Sequence, residues 1–185
     1  MQKMNIVQII SVGGILTAIT VLFQSAPVFL PGIGMAFSPF STLPIAIATV
    51  MSLFLGILVL FASTLIILMV SAQEAMILIF ATGILGFVLG AALYRKGLLI
   101  TLLASSLALT IGMLALTYIV TIPGFSEITG SLRVPLIVLI YFLFSFLYST
   151  IWFLGLKKFL GLLAKIKMIE KPLLHRNNSS PRHPN

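Results

Sequence analysis

From Met4 to Gln73 the chain carries no Asp, Glu, Lys, Arg or His, and the same is true from Ala75 to Tyr94, Gly97 to Ser126 and Val134 to Leu156. A run of about 20 apolar residues is long enough to cross the roughly 30 Å hydrocarbon core of a bilayer as a helix. The chain is 60% hydrophobic and 8% charged, with a mean hydropathy of +1.23. Such a composition has too few polar atoms to cover a water-facing surface. The bilayer is therefore its solvent. In lipid a helix satisfies its own backbone polar groups, so the expected fold is an all-α integral membrane bundle.

The charges sit where such a bundle ends. Of eleven basic residues, Arg95, Lys96, Lys157, Lys158, Lys165, Lys167 and Lys171 flank apolar stretches. This is the pattern of positive residues held on the cytoplasmic side. A net charge of +8 would suggest nucleic acid in a soluble protein. Here the basic residues lack interleaved base-stacking aromatics, which argues against a nucleic-acid partner. At 20.0 kDa the chain makes one bundle over residues 1–171, with a polar, disordered tail expected over 172–185. Between Lys157 and Lys171, Phe159, Leu160, Leu163 and Ile166 alternate with lysines. That reads as an interfacial helix end on anionic membrane lipid.

The first span runs from about Ile6 to Phe23, and it is expected to be retained: Gln24-Ser25-Ala26-Pro27 makes a poor signal-cleavage site. Gly14 and Ala18, four apart, give it a small-residue face of the kind that lets helix backbones approach in lipid. Gln24 to Pro44 contains Pro27, Pro31, Gly32, Gly34, Pro39 and Pro44, which predicts a long apolar loop folded over the bundle. Leu43 to Val70 reads in two ways. As one helix it would measure about 40 Å, far beyond the bilayer core. As two helices it would break near Ser52 to Gly56, the first starting near Met35. Further spans follow over Ala75–Leu93, with Gly86 and Gly90 on a second small face, over Leu98–Ile122, and from Pro135 to Leu156. Five helices place Lys3 outside, whereas six keep both termini cytoplasmic and leave Arg133 as the one external cation. Six transmembrane helices are expected, and five if residues 43–70 form a single helix.

Catalytic constellations do not emerge. His175 and His183 both lie in the tail, and no cysteine is present for a nucleophile, a disulfide or a thiolate metal site. Ser25, Ser38, Ser63, Ser105 and Ser106 have no basic partner at membrane depth, and the spans hold no proton-relay carboxylates. Neither an enzyme nor a bound cofactor or metal is expected. In the six-helix topology one face receives Gln24, Gln73, Glu74, Tyr118, Glu127, Arg133 and Tyr141. Apolar walls with a few placed polar groups are what a small-molecule site requires. These seven residues are the candidate substrate-binding set. Trp152 reads as an interface anchor.

Three of these features together resemble the substrate-binding S components of energy-coupling factor (ECF) transporters, the bacterial vitamin-uptake systems. The face Gly14-Ile15-Leu16-Thr17-Ala18 is similar to the alanine-x-x-x-alanine surface of those subunits, with glycine at its first small position. The Pro/Gly loop leads through Ser38-Pro39-Phe40-Ser41-Thr42-Leu43-Pro44 into two short helices joined near Leu55-Gly56. The span Thr82-Gly83-Ile84-Leu85-Gly86-Phe87-Val88-Leu89-Gly90 runs into Tyr94-Arg95-Lys96. The resemblance covers roughly residues 8 to 160. It implies a six-helix bundle in the bacterial plasma membrane that captures a vitamin or similar micronutrient on its outer face, the loop closing over it. It further implies docking through Gly14 and Ala18 on a transmembrane coupling protein that carries two ATPase subunits. Without charged groups in the spans, the pocket would suit a neutral, partly aromatic ligand. The rival expectation is a multi-span scaffold of a cell-envelope or cell-shape complex.

Overall fold

A computed structural model describes residues 6–93, 97–119 and 134–177, with side-chain surroundings given through residue 162. Every regular element among the described residues is helical. In chain order these are α1 (Ile6–Phe29), α2 (Ile33–Phe37), a 3₁₀ turn (Ser38–Ser41), α3 (Thr42–Met51), α4 (Leu53–Leu68), α5 (Ala72–Ile77), a π-helical segment (Leu78–Gly83), α6 (Ile84–Ala92), α7 (Leu98–Tyr118) and α8 (Val134–Asn177). Five stretches are long and apolar enough to cross a membrane: Ile6–Phe29, Ile33–Met51, Ala72–Ala92, Leu98–Tyr118 and Val134–Leu162. Leu53–Leu68 is apolar but shorter, at 16 residues.

The Pro/Gly-rich stretch is where the expected loop gives way. Only Leu30 to Gly32 leaves the helical state; the rest of Gln24 to Pro44 is wound. Two prolines sit where a helix tolerates them: Pro39 at the start of the 3₁₀ turn and Pro44 in the first turn of α3, where an amide donor has no intrahelical partner. Pro27 lies inside the last turn of α1, where it removes one backbone hydrogen bond close to the helix end. The reversal belongs to Gly32, whose φ of +88° is hard for a residue with a Cβ. A tight hairpin thus replaces the expected lid.

Leu43–Val70 resolves as two helices. Ser52 adopts an extended conformation (φ −160°, ψ 135°) and alone separates α3 from α4, as the two-helix alternative places it. The first of the two also reaches back to Ile33, close to the Met35 start expected for it. At the far end α8 remains wound through Asn177, past the point where the sequence predicts a disordered tail.

α3 is the axis of the bundle. Ile45 and Ala48 join Leu16, Leu55, Val59, Ile67, Ala75 and Leu78 in one core with α1, α4, α5 and the start of the π-helical segment. Ala46 faces the other way, into a second core with Leu85, Leu89, Leu102, Leu109, Met113, Tyr141, Phe153 and Leu156 from α6, α7 and α8. The small face on α6 serves this packing. A Cβ on Gly86 would lie 2.6 Å from the Thr42 carbonyl oxygen, and one on Gly90 2.5 Å from that of Ala46. Several buried hydroxyls in the spans bond back to the carbonyl four residues earlier, as Thr20, Thr49, Ser105, Ser106, Thr110 and Thr117 do at 2.7–2.9 Å. Helices immersed in lipid thereby leave few polar atoms bare.

Candidate functional site

α5 begins with Ser71-Ala72-Gln73-Glu74, and the Ser71 hydroxyl accepts the Glu74 amide at 3.4 Å. In a capping box the glutamate at this position would reach back to the capping residue's own amide. Here that amide is taken by the Ile67 carbonyl at 2.8 Å, which frees the Glu74 side chain to turn inward. Its Oε2 accepts a 2.8 Å bond from Nε2 of Gln24 on α1. The same nitrogen also reaches the Glu74 carbonyl, at 3.4 Å. Gln24 Oε1 in turn accepts from the Ser41 hydroxyl at 2.8 Å and the Thr82 hydroxyl at 3.1 Å. Gln24 is fully buried, yet each donor and acceptor of its amide is engaged. Four elements meet through this one side chain: α1, the 3₁₀ turn, α5 and the π-helical segment.

Glu74 also lines a cavity of about 410 Å³. Pro27, Met35, Ser38 and Pro39 form its wall on the α1–α2 hairpin side, and Gln73, Ile77, Ala81 and Thr82 continue the wall that carries Glu74. Leu109, Met113 and Leu116 of α7 and Phe144 and Tyr148 of α8 complete it. The rings of Phe144 and Tyr148 are stacked at 5.7 Å. Tyr148 leads on to Trp152 at 6.1 Å, Trp152 to Phe40 at 5.6 Å, and Phe40 to Phe23 at 5.9 Å. Trp152 is half-buried and bridges α8 to the 3₁₀ turn through these ring contacts.

The π-helical segment explains why the wall has this shape. Its extra residue per turn displaces the Phe80 carbonyl toward α7, where Gly112 meets it with no room for a Cβ. The same displacement accompanies the inward placement of Ala81 and Thr82 at the cavity.

Of the residues expected to bind substrate, Gln24, Gln73 and Glu74 come together: Gln73 and Glu74 line the cavity, and Gln24 holds Glu74 from beneath. Glu74, with 8% of its surface exposed, is no solvated turn residue. Tyr118 lies outside the lining, 52% exposed at the end of α7. Tyr141 is also outside it, buried in the core with its hydroxyl 3.0 Å from that of Thr117. Glu127 and Arg133 fall outside the described residues. The cavity residues not anticipated are mostly apolar. One signal for them was present: Phe144, Tyr148 and Trp152 recur at every fourth residue of a helix, which sets aromatic rings on a single face.

A second concavity, about 420 Å³, runs between α1 and α4. Gly14 and Ala18 line it with Ile10, Gly13, Leu58 and Ala62. Unlike the α6 glycines, Gly14 has open space where a Cβ would stand. This small face is not used in internal packing. Comparison with protein-family models, curated proteins and solved structures returns no match, so geometry and chemistry carry the functional reading.

Proposed function

We propose that this chain is a membrane-embedded substrate-capture subunit for a vitamin or similar micronutrient, working with a separate ATP-driven coupling module. The observation that carries the reading is the cavity of about 410 Å³, mostly apolar but holding the Gln24–Glu74 pair at its edge. That size and lining suit a small organic molecule. In this proposal α4 is a sixth crossing. Basic residues flank the bundle end formed by the close of α6 and the later part of α8, which the positive-inside rule puts in the cytoplasm. The cavity lies toward the opposite end, where α1 closes and α5 starts, and opens outward. The groove along Gly14 and Ala18 is the docking face for the transmembrane coupling protein.

The test is to purify the full chain, identify co-purified small molecules by mass spectrometry, and measure melting temperature against a vitamin panel. A ligand at 100 times its Kd adds about 2.7 kcal/mol to apparent stability. A co-purified compound that also raises the melting temperature is the expected result. A folded sample with no bound molecule and no shift from any panel member would sink this reading and leave the scaffold alternative.

A further inference from the structure

Among the described residues Glu74 is the one carboxylate of the cavity lining, and only its Oε2 is bonded, by Gln24. The hydrogen bonds that Glu74 does receive come from neutral groups, which solvate a charge without cancelling it. Lys157 and Lys158, the cations whose side chains are described, are solvent-facing and distant in sequence and fold from α5. A buried carboxylate reached only by neutral donors is answered either by a proton or by a positive group that enters the cavity.

We infer that the cavity takes an organic monocation with an aromatic or apolar body, its positive group paired with Glu74 Oε1, the carboxylate oxygen that no described residue bonds. This rests on the capture reading and replaces the neutral ligand that the uncharged spans imply. Three features set the class. A single carboxylate balances a single positive charge, since Glu74 is the one acidic side chain among those described. A metal ion is a poor occupant, because Mg²⁺ or Ca²⁺ needs six or more oxygen ligands. Gln24 Oε1, beside the carboxylate, already accepts from Ser41 and Thr82. The remaining wall is made of groups such as Ile77 and Met113 and the stacked Phe144–Tyr148 pair. Aromatic faces attract cations, most strongly where water is excluded, and they accept a flat ligand body.

The test uses three isosteric probes on the full-length protein in nanodiscs: benzamidinium, benzamide and benzoate, of charge plus one, zero and minus one. Dissociation constants are measured for each. Benzamidinium is expected to bind at least about tenfold more tightly than benzamide, with benzoate weakest, as a charge-assisted hydrogen bond warrants. Glu74→Gln keeps the Gln24 bond but removes the charge, and should bring the cation-to-neutral ratio close to one. Glu74→Asp keeps the charge on a shorter arm and should retain the cation preference at lower affinity, which guards against a Glu74→Gln protein that fails to fold. If benzamide matches or exceeds benzamidinium, or if Glu74→Gln keeps the preference, the monocation assignment is wrong while small-molecule capture stands. If none of the three binds and the purified protein carries no small molecule, capture fails as well.

Discussion

Gln24 spends both amide hydrogens and both oxygen lone pairs inside the protein, so its loss has more than one consequence. Gln24→Leu would leave the Glu74 carboxylate buried with no donor and orphan the Ser41 and Thr82 hydroxyls. Bonds to charged groups are worth about 1.5–3 kcal/mol, and the expected loss of stability is about 3 kcal/mol, measured by thermal or denaturant unfolding in detergent. The opposite outcome is expected at Ser63 and Ser149. Their hydroxyls are buried with no partner among the described residues, so Ser63→Ala and Ser149→Ala should be neutral or stabilising by up to about 1 kcal/mol. At this scale the sequence revealed the polar half of the site. Gln24, Gln73 and Glu74 stand out because polar groups are rare next to the first and fourth apolar runs. It misplaced the tyrosines, since a ring on a membrane helix can face lipid, core or cavity. Only packing decides that, as the Thr117–Tyr141 contact does.

Single backbone choices shape the elements that surround the cavity. Gly112 touches the Phe80 carbonyl displaced by the π-helical turn, so Gly112→Ala must push α7 away from that segment. Overpacking of this kind costs about 1–3 kcal/mol, and contact with backbone puts the change at the upper end. The cavity wall moves with it, so bound ligand should be lost along with stability, as read by co-purification. Gly14→Ala, by contrast, enters open space and should leave the melting temperature unchanged. The glycines of α6 and α1 look alike as spaced small residues, and pattern alone could not divide them into one internal and one exposed face. Proline was misread for a related reason. Composition counts prolines, but their effect depends on position within a turn, and Pro39 and Pro44 both fall at starts.

For the whole molecule, the apolar runs marked where the long helices lie but not where they end, since α1 continues past Phe23 to Phe29 and α8 past Leu156 to Asn177. The length of Leu43–Val70 raised a break near Ser52 to Gly56 as one of two readings, and Ser52 is where it falls. The proposed orientation is open to a direct test in a chain that has no cysteine of its own. A cysteine at Gln73 should react with an impermeant probe from the outside only, and labelling solely from the cytoplasm would overturn the six-crossing arrangement. Docking separates from capture in the same way. Gly14→Leu with Ala18→Leu should abolish recovery of a coupling module and leave ligand affinity unchanged.

The shortness of α4 reaches beyond the protein itself. Its 16 residues rise about 24 Å, against roughly 30 Å of hydrocarbon, while α8 carries no charge from Val134 to Leu156. With α4 as the proposed sixth crossing, the molecule would wear an uneven belt, narrow at α4 and wide along α8. Lipid next to α4 would then have to thin, and a partner helix seated in the groove would relieve that deformation. Assembly on this flank should then respond to acyl-chain length, tighter in dioleoyl than in dimyristoyl membranes, so that bilayer thickness itself acts as a term in the affinity.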